Sequence, residues 1–281
     1  MLLYLRLLRL DKRTCFFYIV LELSTERFAM CELLAMNFNK AARLNGIMPL
    51  FQARAKGNPH GWGFARVNRA GGNVWDITKE PVSAVTSAAA TKIATDPTWI
   101  SDIVLGHVRF ASCGSHTLLN THPFELDYRE HHWVFAHNGT LFGLIEPNKL
   151  TYPVKGETDS EQLLCSVATV LHQLDLDFYN FVELESFLRT FNDDGNMNLV
   201  FSDGACTFVY KDKGSAFGLD ICPVEPLVAD GTLADDAEPS DEPLTGYVVT
   251  THGLTQNRAW KPIPSGSLLV FENGEMIYGK D

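Results

Sequence analysis

Four short runs combine residue types that can do chemistry. Gly61-Trp62-Gly63-Phe64 is a Gly-x-Gly entering an apolar run, and glycines so placed mark a bulge or the close approach of a backbone or ligand. His107-Val108-Arg109-Phe110-Ala111-Ser112 ends an apolar run on an arginine. Its planar fork either joins a surface ion pair or grips a carboxylate with two parallel donors. His137-Asn138-Gly139-Thr140 separates Trp133–Ala136 from Leu141–Phe142. Asn-Gly reads there as a type I′ hairpin turn or as an oxyanion hole, where an asparagine amide and the N–H of a residue without Cβ approach a developing negative oxygen. Asp159, within Thr158-Asp159-Ser160-Glu161, either belongs to a capping box or holds a ligand's ammonium group. Taken singly, none of the four decides between structure and chemistry.

Two other chemistries find less support. His131, His132 and His137 lie close together, but no cluster has a zinc spacing, so neither metal nor cofactor is expected. Cys113-Gly114-Ser115-His116 pairs a thiol with an imidazole but matches no local nucleophile signature, and a core cysteine is the commoner reading.

The elements that must position these runs are mostly short strands. β-rich segments are expected at Cys31–Met36, Trp62–Asn68, Asn73–Ile77, Asp102–Val108 and Trp133–Ala136. A second set follows at Met197–Ser202, Cys206–Lys211, Tyr247–Thr251, Ser267–Phe271 and Glu275–Tyr278. Ala70-Gly71-Gly72-Asn73 and Glu272-Asn273-Gly274-Glu275 read as tight hairpin connections. Apolar residues recur at helical spacing over Glu161–Leu174 and Phe181–Phe191, and Ser83–Ala94 is an alanine-rich helix candidate. Pro226–Pro243, rich in Asp, Glu, Pro and Ala, reads as a solvated acidic loop. Strands, then helices, then strands predict an α+β domain and not an alternating parallel fold.

The chain has 281 residues, 46% of them apolar, and a net charge of −11. That length buries a sizeable core in one or two domains. An acidic chain with no basic run lacks the positive footprint that nucleic acids and anionic membranes select. No apolar stretch reaches the roughly 18 residues of a membrane span. Six scattered cysteines without CxxC point to a reducing compartment, and a cytoplasmic location is expected.

Met1–Ala29 is a different kind of text. Arg6, Arg9, Asp11, Lys12 and Arg13 interrupt its first half, and Glu22, Glu26 and Arg27 occupy the place of a cleavage region. A secretory signal needs about 7–15 uninterrupted apolar residues there. The segment ends at Met30-Cys31. Residues 1–29 are expected to be a leader created by a start assigned upstream of the true initiator Met30. A removable propeptide is the second explanation, and a retained inactivating or targeting segment the third.

In combination and in order, the motifs resemble those of the class II glutamine amidotransferases, the N-terminal-nucleophile family. The string runs Met30-Cys31-Glu32-Leu33-Leu34, His60-Gly61-Trp62-Gly63, His107-Val108-Arg109-Phe110-Ala111-Ser112 and Asn120-Thr121-His122-Pro123-Phe124. It continues with Ala136-His137-Asn138-Gly139, Gly156-Glu157-Thr158-Asp159-Ser160-Glu161 and Asn198-Leu199-Val200-Phe201-Ser202-Asp203-Gly204. The opening Met-Cys-Glu-Leu-Leu is similar to the stand-alone branch that carries no synthase domain.

The resemblance implies an Ntn-hydrolase domain over residues 30–281, a four-layer αββα sandwich of two stacked, mainly antiparallel sheets. It implies that Cys31, freed as residue one, attacks the γ-carboxamide of glutamine through a γ-glutamyl thioester. A free α-amine, with a pKa of about 7.7–8.0, can take the thiol proton at neutral pH, and an amide nitrogen cannot. Arg109 would grip the substrate carboxylate and Asp159 its ammonium. Asn138 and Gly139 would form the oxyanion hole, Gly61, Trp62 and Gly63 would line the pocket, and Ser112 and His137 would complete the substrate site. One departure stands out. Where many relatives read Trp-Ala-Thr-His after the arginine, this chain reads Phe110-Ala111-Ser112-Cys113, which bears on substrate choice more than on the chemistry. The substrate is expected to be glutamine or another γ-glutamyl compound, with ammonia either passed to a separate synthase subunit or not transferred at all. Hydrolysis of a glutathione-like γ-glutamyl conjugate is the alternative, and a catalytically silent Ntn-fold glutamine binder a second one.

Overall fold

The computed structural model describes residues 30–72, 74–214, 217–233, 242–256 and 259–279. The leader and residues 234–241 of the acidic stretch lie outside them. Among the described residues, β1 (Glu32–Arg43), β2 (Trp62–Asn68), β3 (Val74–Glu80), β4 (Ile100–Val108), β9 (Asp220–Pro223), β10 (Gly246–Thr250) and β11 (Lys261–Pro262) form one sheet, in the order β11-β9-β10-β1-β4-β2-β3. β5 (Phe124–Tyr128), β6 (His131–Leu141), β7 (Gly195–Ser202), β8 (Cys206–Tyr210), β12 (Leu268–Glu272) and β13 (Glu275–Tyr278) form the other, in the order β13-β12-β8-β7-β6-β5. Each neighbouring pair is antiparallel.

Strand alternation sorts the apolar side chains into three layers, because successive residues point to opposite faces. Leu33 and Ala35 of β1, Ala65 of β2 and Leu105 of β4 meet Val134 and Ala136 of β6, Val200 of β7 and Val209 of β8 between the sheets. These small and branched side chains let the two sheets stack closely. On the first sheet's outer face, Leu34, Met36, Phe64 and Val104 pack against Phe51 of α1 (Met48–Gln52), Ile93 of α2 (Ala88–Thr95) and Leu227 of α5 (Val224–Ala229). On the second sheet's outer face, Trp133, Phe135, Phe201 and Phe208 pack against Leu163, Val167 and Leu171 of α3 (Asp159–Gln173) and Leu184 and Leu188 of α4 (Phe181–Phe191). Each such leucine contributes about 1.5–3 kcal/mol by leaving water. The order helix–sheet–sheet–helix is the αββα sandwich expected above.

Several local expectations change. Asn138-Gly139 is not a hairpin turn: it lies inside β6, opposite Asn198 and Met197 of β7. The acidic stretch is not all loop, since α5 runs through Pro226 to Ala229 and buries Leu227. The alanine-rich helix begins only at Ala88, where the Ser87 Oγ accepts the Ala90 N–H at 3.0 Å. The Glu272–Glu275 connection is tight as expected, with φ of 49° at Asn273 and 75° at Gly274.

Candidate active site

The register of the first sheet builds the site. Glu32 pairs with Val108 and Leu33 with His107 across β1 and β4, so one step further along the ladder Cys31 meets Arg109. Alternation places Cys31 on the side of Leu33 and Ala35, and Arg109 on the side of Leu105, which is the space between the sheets. From the second sheet, Asn138 follows Val134 and Ala136 onto the same side. The three groups therefore come from two sheets and share the inter-sheet side, where Cys31 and Arg109 open onto one recess that Asn138 does not line.

There Cys31, Arg109, Ser112, Cys113, His122, His137, Gly139 and Asp159 line one recess. It is narrow, with about 20 Å³ of space. Cys31 is half-buried and Phe110 holds its thiol from both sides: the Phe110 N–H donates to Sγ at 3.2 Å, and the S–H donates to the Phe110 carbonyl at 3.3 Å. Burial pushes the thiol up to about 11, against the opposing pull of the Phe110 backbone hydrogen bond and of the Arg109 charge. With its nitrogen in the Met30–Cys31 peptide bond, this thiol stays protonated at neutral pH.

Arg109 is only 3% exposed. Its Nη2 donates to the Cys113 carbonyl at 2.8 Å and its Nη1 to the Ser115 carbonyl at 3.3 Å. Asp159 does not cap α3. Thr158 does, its side chain accepting the Glu161 N–H. Glu161 does not complete a capping box, because its carboxylate accepts the Lys155 and Gly156 N–H groups instead. Asp159 is thus left at the first helical position to serve the recess. Its Oδ2 accepts the Leu141 N–H at 2.8 Å, and Cys113 Sγ lies 3.6 Å from its Oδ1.

His137 points to the helix side of β6. Its Nε2 is 3.2 Å from the Asn196 carbonyl, which can only accept, so Nε2 carries the proton and Nδ1 accepts from Ser160 Oγ at 2.9 Å. It pins the start of α3 to the strand that carries Asn138. The Asn138 Nδ2 is buried with no hydrogen-bond partner among the described residues. Gly139 is required by its neighbours: a Cβ there would lie 1.9 Å from the Asn196 carbonyl oxygen.

Trp62 does not reach the recess. It is fully buried on the outer face of the first sheet, with its ring 5.1 Å from that of Phe64. Gly63 is needed because a Cβ would lie 2.1 Å from the His122 carbonyl oxygen, and Gly61 receives the Arg109 N–H on its own carbonyl at 2.8 Å. These two glycines shape the backbone around the site and do not line it. Ser112 Oγ lies 3.2 Å from Thr140 Oγ1, joining the segment after β4 to β6.

A family model described as glutamine amidotransferases class-II matches residues 30–280. The chain belongs to the class II glutamine amidotransferases. Similar sequences include an uncharacterised protein of Methanocaldococcus jannaschii, 34% identical over 89% of this chain and 71% of its own length. YafJ of Escherichia coli, named as a candidate glutamine amidotransferase, is 28% identical over 88% of this chain and all of its own. Among solved structures, a candidate glutamine amidotransferase from Pseudomonas aeruginosa superposes with a TM-score of 0.62 at 23% identity, covering 89% of this chain and 100% of that one. Glutamine phosphoribosylpyrophosphate amidotransferase from B. subtilis gives 0.58 at 13% identity, over 88% of this chain and 48% of that one. These structural likenesses speak for the fold, an Ntn-type sandwich.

Reading residue types missed several members of this recess. Phe110 acts on Cys31 through its backbone, for which a side chain carries no signal. His122 lines the recess, 4% exposed, with no hydrogen-bond partner on its ring nitrogens among the described residues. Its ring sits 4.0 Å from that of His107, and burial pushes His107 down to about 3. Both histidines stand in the quoted motifs, and only the tertiary structure brings their rings together. Among the described residues no group of three or more His, Cys, Asp or Glu side chains is arranged to hold a metal, and no helix is long and apolar enough to cross a membrane.

Proposed function

We propose that the protein hydrolyses the γ-carboxamide of glutamine to glutamate and ammonia, with Cys31 as the nucleophile. The observation that carries this reading is the convergence of Cys31, Arg109 and Asp159 on one recess. A thiol, a fixed cation and a fixed anion there match the side-chain amide, carboxylate and ammonium of one amino acid.

In this reading Arg109 exchanges its loop carbonyl partners for the substrate carboxylate, and Asp159 takes the ammonium. Given the small volume of the recess, glutamine enters as the 110–117 segment moves aside. The Cys31 sulfur then bonds to the substrate Cδ, and the thiol proton passes to the Cys31 α-amine once the Met30 peptide bond is gone. Negative charge gathers on the amide oxygen, where the Asn138 Nδ2–H and the Gly139 N–H stabilise it. One such donor is worth about 3–4 kcal/mol of barrier. The C–N bond breaks, the departing nitrogen takes the proton and leaves as ammonia, and water hydrolyses the thioester to glutamate. Residues 30–281 act as the catalytic domain in this reading. The ammonia passes to a separate acceptor subunit or is released.

The test is a peptide-mass map of the purified protein after exposure to a diazo-ketone analogue of glutamine, beside an assay for glutamate release. A chain that begins at Cys31 and carries the label there supports the reading. A chain that begins at Cys31, takes no label and releases no glutamate sinks it. Faster turnover of glutathione than of glutamine moves the assignment to a γ-glutamyl conjugate.

A further inference from the structure

His60 touches the nucleophile's surroundings from two directions. Its backbone N–H donates to the Arg109 carbonyl at 3.1 Å, while the Arg109 N–H donates to Gly61 at 2.8 Å. This extends the β2–β4 ladder one step past Val108. Its side chain then reaches the next turn of the same segment, where the Ala111 N–H donates to His60 Nδ1 at 3.0 Å. An Nδ1 that accepts carries no proton, so the ring is the neutral Nε2–H tautomer. Between these two anchors lies Phe110, whose N–H and carbonyl both engage Cys31 Sγ. The ring of Phe110 also packs 5.1 Å from that of His60.

We propose that His60 is a positioning residue that holds the Phe110–Ala111 backbone against the Cys31 thiol, and that it does so only while its imidazole is neutral. The inference rests on the assignment of Cys31 as the nucleophile and adds a residue with no place in the reaction itself. Protonation puts a hydrogen on Nδ1, where the Ala111 N–H now points, so the contact becomes donor against donor. Its charged and titratable neighbours make protonation harder. His116 stacks on the ring at 4.5 Å, Arg109 lies on the strand it grips, and both act to disfavour a further positive charge. Burial first, and then these two neighbours, hold the ring below its ordinary value of 6.5. The sign follows: the clamp is made at neutral pH and is lost as the pH falls through that lowered value. The nucleophile's backbone cradle then loosens on acidification while the bulk of the fold stays intact.

The experiment is a pH titration of the protein cleaved before Cys31, by two readouts on wild type, His60→Asn and His60→Ala. NMR follows the His60 ring nitrogens and the Phe110 and Ala111 amide signals. Glutamate release gives kcat/KM over the same range. The expected result is an Nε2–H tautomer, with a common midpoint below 6.5 for the ring and the two amides. The acid limb of kcat/KM shares that midpoint. His60→Ala loses about tenfold in kcat/KM, the scale of one hydrogen bond. His60→Asn, whose Oδ1 stands where Nδ1 was and does not titrate, keeps most of the activity and loses that acid limb. An Nδ1–H tautomer, or amide signals that ignore the ring's titration, would overturn the proposal, and so would an acid limb unchanged in both variants. If no variant releases glutamate, the function assignment fails by itself, and the NMR titration still decides whether His60 clamps the segment.

Discussion

Phe110 holds the Cys31 sulfur through both polar groups of its backbone, the N–H at 3.2 Å and the carbonyl at 3.3 Å. The segment after β4 is therefore part of the Cys31 thiol's environment, and the behaviour of that thiol follows from what the segment contacts. The carbonyls of Cys113 and Ser115, three and five residues further on, hold Arg109 in the same way. One stretch of backbone thus positions both the thiol and the cation.

Cys31 is expected to be a slow nucleophile while Met30 is attached. Burial holds its thiol up to about 11, so the reactive thiolate is scarce at neutral pH and its fraction rises toward that value. Alkylation of Cys31 by iodoacetamide, followed by peptide mass mapping, should rise steeply with pH in the uncleaved chain. Cleavage before Cys31 should speed the reaction at pH 7.5 by at least about tenfold, as the α-amine takes over the proton. Equal rates in the two forms would argue against the α-amine as base.

Arg109→Lys keeps the charge and loses the fork. A lysine cannot offer two parallel donors to a carboxylate, nor hold two loop carbonyls at once. We expect KM for glutamine to rise by about 100-fold with a smaller change in kcat, read by steady-state kinetics. An unchanged KM would place the substrate carboxylate elsewhere.

Asn138 and Gly139 should fail differently. Asn138→Ala removes a donor and should lower kcat by about 10²–10³-fold with little change in Tm. Gly139→Ala forces a Cβ to within 1.9 Å of the Asn196 carbonyl oxygen and 2.7 Å of His137 Nε2, so β6 and β7 must separate. That should cost stability, about 2–3 kcal/mol by denaturant titration. Equal thermal stability of the two variants would contradict this division.

Glu157 ties Ser115, whose carbonyl holds Arg109, to Asn120. Its Oε2 accepts from the Ser115 N–H at 3.1 Å, from Ser115 Oγ at 2.7 Å and from Asn120 Nδ2 at 3.1 Å. These bonds hold its carboxyl below the usual range. A depressed carboxyl supports the segment fully above its ordinary value of 4.5 and loses that support as the pH falls through the lowered one. Glu157→Gln cannot accept in the same way. It should raise KM severalfold and leave kcat nearly unchanged, because the Arg109 anchor loosens while the thiol does not.

Ala136 reports on the spacing of the sheets. It is fully buried among Leu33, Ala35 and Val200 between them. Ala136→Leu should cost about 1–3 kcal/mol by overpacking. Its neighbour Asn138 shares that face, so the same variant should also lower kcat. Wild-type stability would mean that the inter-sheet layer has slack.

Much of this protein was legible in its residues, because much of it is local. β2 and β13 begin and end where alternation and turn chemistry place them, and α4 spans the run whose apolar residues recur at helical spacing. Thr158 announces α3, and the ordered motifs point to Cys31, Arg109, Asn138 and Asp159 before any coordinate is known. Other elements carry no such signal. β5, β9 and β11 span five, four and two residues, and α1 is five residues long. Each exists because a partner offers hydrogen bonds or an apolar face, and such partners are distant in the chain. The same reason separates motif from site. Spacing cannot show that Asn138-Gly139 continues a strand, since β7, nearly sixty residues later, supplies the pairing. Nor can it show that Trp62 faces the helices, or that Arg109 falls opposite Cys31. Periodicity is written within a few residues; register is set between strands, and here register is what brings the Cys31 thiol and the Arg109 cation to one recess.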